Sequence, residues 1–352
     1  MNSINNEVQN IILSDGNSKI KDLSAYDYLN GFTKTELFNI ISLYKLSMKD
    51  VIEAYVLDNK SKKELIKYII ENLENILKVN FKYIKNKDLK FLKNTLPKIL
   101  EKEFDITNDE IPISLFFYLR RFKLAKFEYS DESLKMFMPK EFCEVFINIL
   151  NDKKLTKENK KYNDIFDYIC ALTDTYGIID LNNLYHFFKK DMEKIDKDSF
   201  VKIINSYDIA DDYINVFEYG SDYIICNIDF ADEEAAVNFY ETQSGEYVEY
   251  SKEDLVLIKN GTFIRKSKHF KKFTEYLNDK FELTEKDIED IINMLILDYI
   301  FSASLNIDDA NSKFINNASE MFDLSKEEIE EMRKIVYNIY MDYPKWSKRG
   351  AI

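Results

Sequence analysis

Two histidines, His186 and His269, are all the imidazole that the chain carries, so a His-dependent catalytic triad has almost no material. The sequence contains no G-x-S-x-G, H-E-x-x-H, G-x-x-x-x-G-K-[ST] or EF-hand pattern. The paired acids Asp211-Asp212 and Asp308-Asp309 offer carboxylates to a divalent ion, but acids at turns and helix starts have a structural role that needs no metal. Cys143, Cys170 and Cys226 lie far apart without a C-x-x-C pair, and Cys170 and Cys226 sit in apolar runs that place them in a core. No catalytic residue, metal site or cofactor is assigned on these grounds.

The chemistry that remains is phosphate binding by clustered cations. Lys34, Lys62, Lys63 and Lys67 fall near expected helix N-termini, where backbone amides also favour an anion. Residues 81–127 carry 11 basic against 6 acidic residues, among them Arg120, Arg121, Lys123 and Lys126 beside an expected turn. Arg265, Lys266, Lys268, Lys271 and Lys272 form a third cluster interleaved with Phe263, Phe270 and Phe273. For each group the alternative is an ordinary solvated helix face. The net charge of −14 is spread as −1 over residues 1–80, +2 over 81–150, −6 over 151–230 and −9 over 231–352. An acidic whole repels a phosphate backbone, so any contact with DNA or RNA must be local.

The elements that must position these residues are mainly α-helical. Among 352 residues, 45% are hydrophobic and 14% aromatic, with only 7 Gly and 4 Pro, a composition that folds and favours helix over turn-rich sheet. The expected class is mainly α with small β-hairpins (α+β). The opening residues lack a basic and apolar leader, and nowhere do about 18 uncharged apolar residues run together. A soluble protein of the reducing cytoplasm, without membrane contact, is the expectation. Heavy use of Lys, Ile and Asn fits an AT-rich bacterial or phage genome.

Capping boxes at Thr33-x-x-Glu36, Ser47-x-x-Asp50 and Ser61-x-x-Glu64, spaced by 14 residues, predict three short helices from 33 to about 78. A basic helical segment follows to Lys102 with Pro97 interrupting or kinking it, then a helix over 111–120 and a hairpin around Ser130-Asp131-Glu132-Ser133. The polar string 151–164 reads as a linker. Beyond it the order is helix, short strand at Ile178-Ile179, helix capped by Asp180, helix after Asp196 and hairpin around Tyr219–Asp222, the order of a winged helix. In that third helix Asp198, Ser199, Lys202, Asn205 and Ser206 are the expected exposed positions, followed by Asp208, Asp211 and Asp212, an acidic end unsuited to DNA. Helices from Thr284 and from the capping box Ser325-x-x-Glu328 close the chain. The expected domains are 1–80 (a short helical motif), 81–150 (helices plus a β-hairpin, itself winged-helix-like), 158–230 (winged-helix-like) and 231–352 (acidic, mostly helical), so one or two winged-helix-like domains in all.

Residues 28–75 resemble the helical motif at the N-terminus of transcription termination factor Rho, a relative of SAP-type DNA-binding motifs. The resemblance rests on Thr33-Lys34-Thr35-Glu36-Leu37 and Ser61-Lys62-Lys63-Glu64-Leu65. Lys60 stands where an apolar residue is usual, and the motif's glycine-containing connector is replaced. The remainder is similar to a loose group of bacterial and phage proteins that join such a motif to a segment like Tyr176-Gly177-Ile178-Ile179-Asp180 through Leu184, and to a basic tail containing Trp346. That group supplies no activity to carry over; the three cation clusters and the charge split point to a non-enzymatic nucleic-acid-associated regulator or adaptor, with the N-terminal half contacting DNA or RNA and the acidic C-terminal half contacting protein. The alternative is a protein-interaction scaffold or DNA-mimic-like factor that binds no nucleic acid.

Overall fold

Side-chain caps set the start of several helices. The computed structural model describes Ile12 and residues 21–48, 56–107, 111–130, 133–192, 195–210, 213–281, 283–295, 306–322 and 325–352. These residues are mostly helical, with small antiparallel sheets. Helix α1 (Ala25–Asn30) opens at Ser24, whose hydroxyl accepts from the Asp27 amide. Helices α2 (Lys34–Ser47) and α3 (Lys62–Glu71) open on the expected reciprocal boxes, Thr33 with Glu36 and Ser61 with Glu64. The box expected at Ser47 is a correction. Ser47 is the last residue of α2, carried into the helix by the apolar face of Leu37, Ile40, Ile41 and Leu43, and its hydroxyl donates back to the Tyr44 carbonyl at 2.8 Å. Asp50 and Val51 lie outside the described residues.

The third helix is divided at Asn72, after which α4 (Leu73–Phe81) begins. Helix α5 (Leu89–Leu100) runs through Pro97 rather than ending there. Pro97 and Lys93 are both exposed, so water can reach the carbonyl that a proline leaves without an amide partner. Helix α6 (Ile113–Arg121) leads into the hairpin of β1 (Lys126–Ser130) and β2 (Ser133–Phe137), with Phe127 opposite Met136 and Tyr129 opposite Leu134. The outer edge of β2 is covered by residues 104–106, since Ile106 donates to the Leu134 carbonyl and the Met136 amide to the Phe104 carbonyl, each at 2.8 Å. Helix α7 (Lys140–Asn151) buries Phe142, Phe146 and Ile149, and α1, α4 and α5 pack on it.

The expected linker over 151–164 is also a correction, because helix α8 spans Lys153–Tyr176. Asp152 starts it by accepting from the amides of Lys154 and Leu155. Its polar residues do not all face water. Asn159 and Asn163, one turn apart and buried, donate to the carbonyls of Phe81 (2.7 Å) and Ile84 (2.8 and 3.1 Å), satisfying the turn after α4.

After Gly177 the chain forms β3 (Ile178–Asp180), α9 (Leu181–Asp191) capped by Asp180, α10 (Lys197–Ala210), β4 (Ile214–Tyr219) and β5 (Asp222–Asn227). The strands make one antiparallel sheet in the order β3-β5-β4. Next come α11 (Glu233–Thr242), α12 (Lys252–Lys259), α13 (Lys268–Lys280), α14 (Glu285–Met294), α15 (Ile307–Phe322) and α16 (Lys326–Met341). The helices expected from Thr284 and Ser325 are α14 and α16, with α15 between them. One core gathers Ile178, Ile224, Cys226, Phe230 and Trp346 on the sheet, and a second gathers Phe273, Ile292, Phe314, Met332 and Ile339 among the helices. All three cysteines are buried thiols. No helix among the described residues is long and apolar enough to cross a membrane.

The chain forms two compact units, Met1–Phe166 with Asp198–Asp212, and Asp167–Lys197 with Tyr213–Ile352. The segments 1–80 and 81–150 fall in the first unit, 231–352 in the second, and 158–230 is shared. Within the first unit, Tyr207 of α10 stacks on Phe166 at 4.3 Å and meets the edge of Tyr83 at 5.1 Å. Ser206, expected at the surface of α10, is buried, and its hydroxyl returns to the Lys202 carbonyl. The first unit holds as many Lys and Arg as Asp and Glu, so the entire net charge of −14 falls on the second.

Candidate nucleic-acid interface

The two capping boxes fix the first turns of α2 and α3, and those turns fix the lysines beside them. Lys34, at the first position of α2, donates to the Asp58 carbonyl at 2.8 Å and lies 5.8 Å from the Phe38 ring. Lys45, absent from the sequence expectation, pairs with the Asp58 carboxylate at 2.6 Å over the same ring. Lys62, at the first position of α3, reaches the Asn30 carbonyl at 2.7 Å. Lys63 is exposed, and Lys67 makes a solvent-facing pair with Glu71 one turn on, of the kind worth little stability.

The basic residues after α6 arrive at the same turn. Lys123 has a left-handed backbone, φ +51°, which turns the chain from α6 into the hairpin. Its carbonyl accepts from the Tyr28 hydroxyl at 3.0 Å, and its ammonium meets the Glu36 carboxylate at 3.0 Å and the Phe32 ring at 5.7 Å. Glu36 therefore serves both the cap of α2 and this ion pair, and the Thr33 amide followed by Lys123 holds its carboxyl below the usual range. Lys126 lies over the rings of Tyr28 (5.5 Å) and Phe32 (5.6 Å). Lys62 from one segment, and Lys123 with Lys126 from another about 60 residues on, thus surround the turn at 30–33 on a floor of two buried rings. Arg120 is half-buried with its guanidinium 5.8 Å from the Phe116 ring, and burial lowers its pKa; Arg121 is exposed on the next position of α6.

The third cluster is arranged differently. Phe263, Phe270 and Phe273 are buried in the helical core, so their interleaving with cations is the ordinary two-sided pattern of a core helix rather than a row of stacking rings. Arg265 pairs with Glu289 at 3.1 Å, Lys266 with Asp254, and Lys271 with Glu275 at 3.6 Å, while Lys268 and Lys272 are exposed. These residues belong to the second unit, and the α2, α3 and hairpin cations belong to the first.

Of the paired acids, Asp308 and Asp309 sit in the first turn of α15, where Asp309 pairs with Lys313 at 2.8 Å, and Asp211-Asp212 lie outside the described residues. Among the described residues no three His, Cys, Asp or Glu side chains come together as metal ligands would. The floor residues Tyr28 and Phe32 and the second role of Glu36 carry no local signature, since the partners that define them lie about 90 residues away. No family model matches the chain, and neither a curated protein nor a solved structure is significantly similar to it.

Proposed function

We propose that the protein is a cytoplasmic, non-enzymatic nucleic-acid-associated adaptor. Its first unit holds the phosphate backbone of DNA or RNA, and its acidic second unit meets a protein partner. The observation that carries this reading is the convergence of Lys62, Lys123 and Lys126 on the turn at 30–33, which gives the Rho-like, SAP-like reading of 28–75 a compact cationic surface. The order of α8, β3, α9, α10 and the β4–β5 hairpin, with the sheet order β3-β5-β4, supports a winged-helix-like reading of that stretch. Helix α10 carries Lys197 and Lys202 against Asp198 and Asp208, and the sequence adds Asp211 and Asp212 directly after it, an end unsuited to a phosphate backbone, so this stretch is read as a packing or protein-binding module.

A scaffold without nucleic-acid affinity is the second reading, favoured by the acid partners of Arg265, Lys266 and Lys271 and by the charge of the second unit. The two separate by anisotropy titration of the full chain with labelled duplex DNA and with RNA at low and moderate salt. Salt-sensitive binding that falls in a Lys62→Glu, Lys126→Glu variant, and is unchanged in Lys268→Glu, Lys272→Glu, supports the adaptor. Absence of salt-sensitive binding to either nucleic acid leaves the scaffold.

A further inference from the structure

Glu36 divides its two carboxylate oxygens between two tasks. One oxygen, Oε2, accepts from the Thr33 amide at 2.9 Å and from the Thr33 hydroxyl at 3.0 Å, and so closes the box that starts α2. The other, Oε1, meets the Lys123 ammonium at 3.0 Å. The cap needs only the first. Glu64, Asp287 and Glu328 fill the same place in the boxes of α3, α14 and α16, and among the described residues none of the three makes an ion pair. The Lys123 pair is therefore an addition to the box, and it falls among the cations that surround the turn at 30–33.

Only side chains need to move for that pair to part. The backbone of Lys123 is fixed by its left-handed turn, φ +51°, and by the Tyr28 hydroxyl on its carbonyl at 3.0 Å, while its four-carbon stem lets the ammonium pivot. The Lys123 and Glu36 side chains are 27% and 34% exposed, so an incoming anion can reach both. Release of Lys123 leaves the start of α2 whole, because Thr33 is held by the other oxygen. The neighbouring cations have no such rival. Lys62 directs one of its three donors to the Asn30 carbonyl, Lys126 lies over the rings of Tyr28 and Phe32, and among the described residues neither pairs with a carboxylate.

We infer that Glu36 is a built-in competitor for Lys123 that sets how tightly the turn at 30–33 holds a phosphate backbone, an inference that rests on the adaptor reading above. A phosphate that engages Lys123 takes the place of the Glu36 carboxylate, one oxyanion exchanged for another around a fixed lysine stem. The displaced carboxylate then stands unpaired beside the bound phosphate and repels it. Glu36→Gln removes that repulsion and keeps a cap acceptor at the same place. Both groups are partly exposed, so salt screens the effect.

The test is anisotropy titration of the full chain with labelled duplex DNA and with labelled RNA, at low and moderate salt, for the unsubstituted protein, Glu36→Gln and Glu328→Gln. Glu328 belongs to the box of α16 in the second unit, so each variant loses one negative charge and keeps one cap. Glu36→Gln should bind about two- to five-fold more tightly at low salt, with the gain shrinking at moderate salt, and Glu328→Gln should match the unsubstituted protein. If the unsubstituted protein binds and Glu36→Gln binds no more tightly, the inference is overturned while the adaptor reading stands. An equal gain in Glu328→Gln also overturns it, because the effect would then belong to the net charge. Absence of salt-sensitive binding in all three overturns the adaptor reading and this inference with it. Should circular dichroism show that Glu36→Gln has lost helix, Glu36→Ala, in which the Thr33 hydroxyl can still accept from the amide at position 36, takes its place.

Discussion

Gly177 and Gly220 share a left-handed backbone, at φ +71° and +61°, but not a neighbourhood. A Cβ on Gly220 meets nothing within 4 Å, whereas one on Gly177 meets three atoms of the Trp346 ring within 2.7 Å. Gly220→Ala should therefore cost only the left-handed penalty, about 1–2 kcal/mol. Gly177→Ala carries the same penalty and must also displace a fully buried indole, which adds about 1–3 kcal/mol of overpacking. Urea denaturation followed by circular dichroism compares the two variants. Equal losses would mean that Trp346 is not held against Gly177. The tyrosine and tryptophan segments that the sequence presents as separate features are, at this scale, two sides of one contact.

Among the elements, what could be read from the sequence is what is decided within four residues. Thr33, Ser61 and Ser325 find their glutamates at the next turn, and each opens a helix as expected. The hairpin around 130–133 is equally local, its alternation and its polar turn lying side by side. Ser47 shows the limit of this logic, because the same cap spelling falls where an apolar face is still running. The lysine clusters were legible as clusters, but not which of them would converge, since Lys62 and Lys126 are brought together only by tertiary packing. Helix α8 was illegible for a related reason. Asn159 and Asn163 look like loop residues, but their amides serve carbonyls 75 to 79 residues away in sequence. Asn159→Ala would remove one donor from each of the Phe81 and Ile84 carbonyls, which keep the Ile84 amide and the Asn163 side chain, and should cost about 1 kcal/mol for each bond lost. Lys160→Ala, on the exposed face of the same helix, should stay within about 0.5 kcal/mol. Thermal melts of the two variants settle which residues of this polar string face inward, and equal stability would return the segment to a solvated role.

For the whole molecule the governing fact is that charge is segregated: one unit is balanced and the other carries the full −14. A neutral unit gains affinity for a polyanion only through a few cations placed together, so the number of phosphate contacts must be small. Each contact contributes about 0.9 to the slope of log K against log salt on duplex DNA, and about 0.7 on a single strand. Lys126→Gln should lower that slope by about one contact and weaken binding across all sequences, because a lysine over two aromatic rings reads no base edge. Lys272→Gln, in the acidic unit, should leave the slope unchanged. Long-range repulsion from the net charge acts in the opposite sense and reaches farther as salt falls, the screening length growing from about 10 Å at 0.1 M to about 30 Å at 0.01 M. The plot should therefore flatten at low salt, where a protein without that excess would keep binding more tightly. Anisotropy titrations across a salt series measure both effects at once. An unchanged slope in Lys126→Gln would move the phosphate contact away from the turn at 30–33 and remove the observation on which the adaptor reading stands.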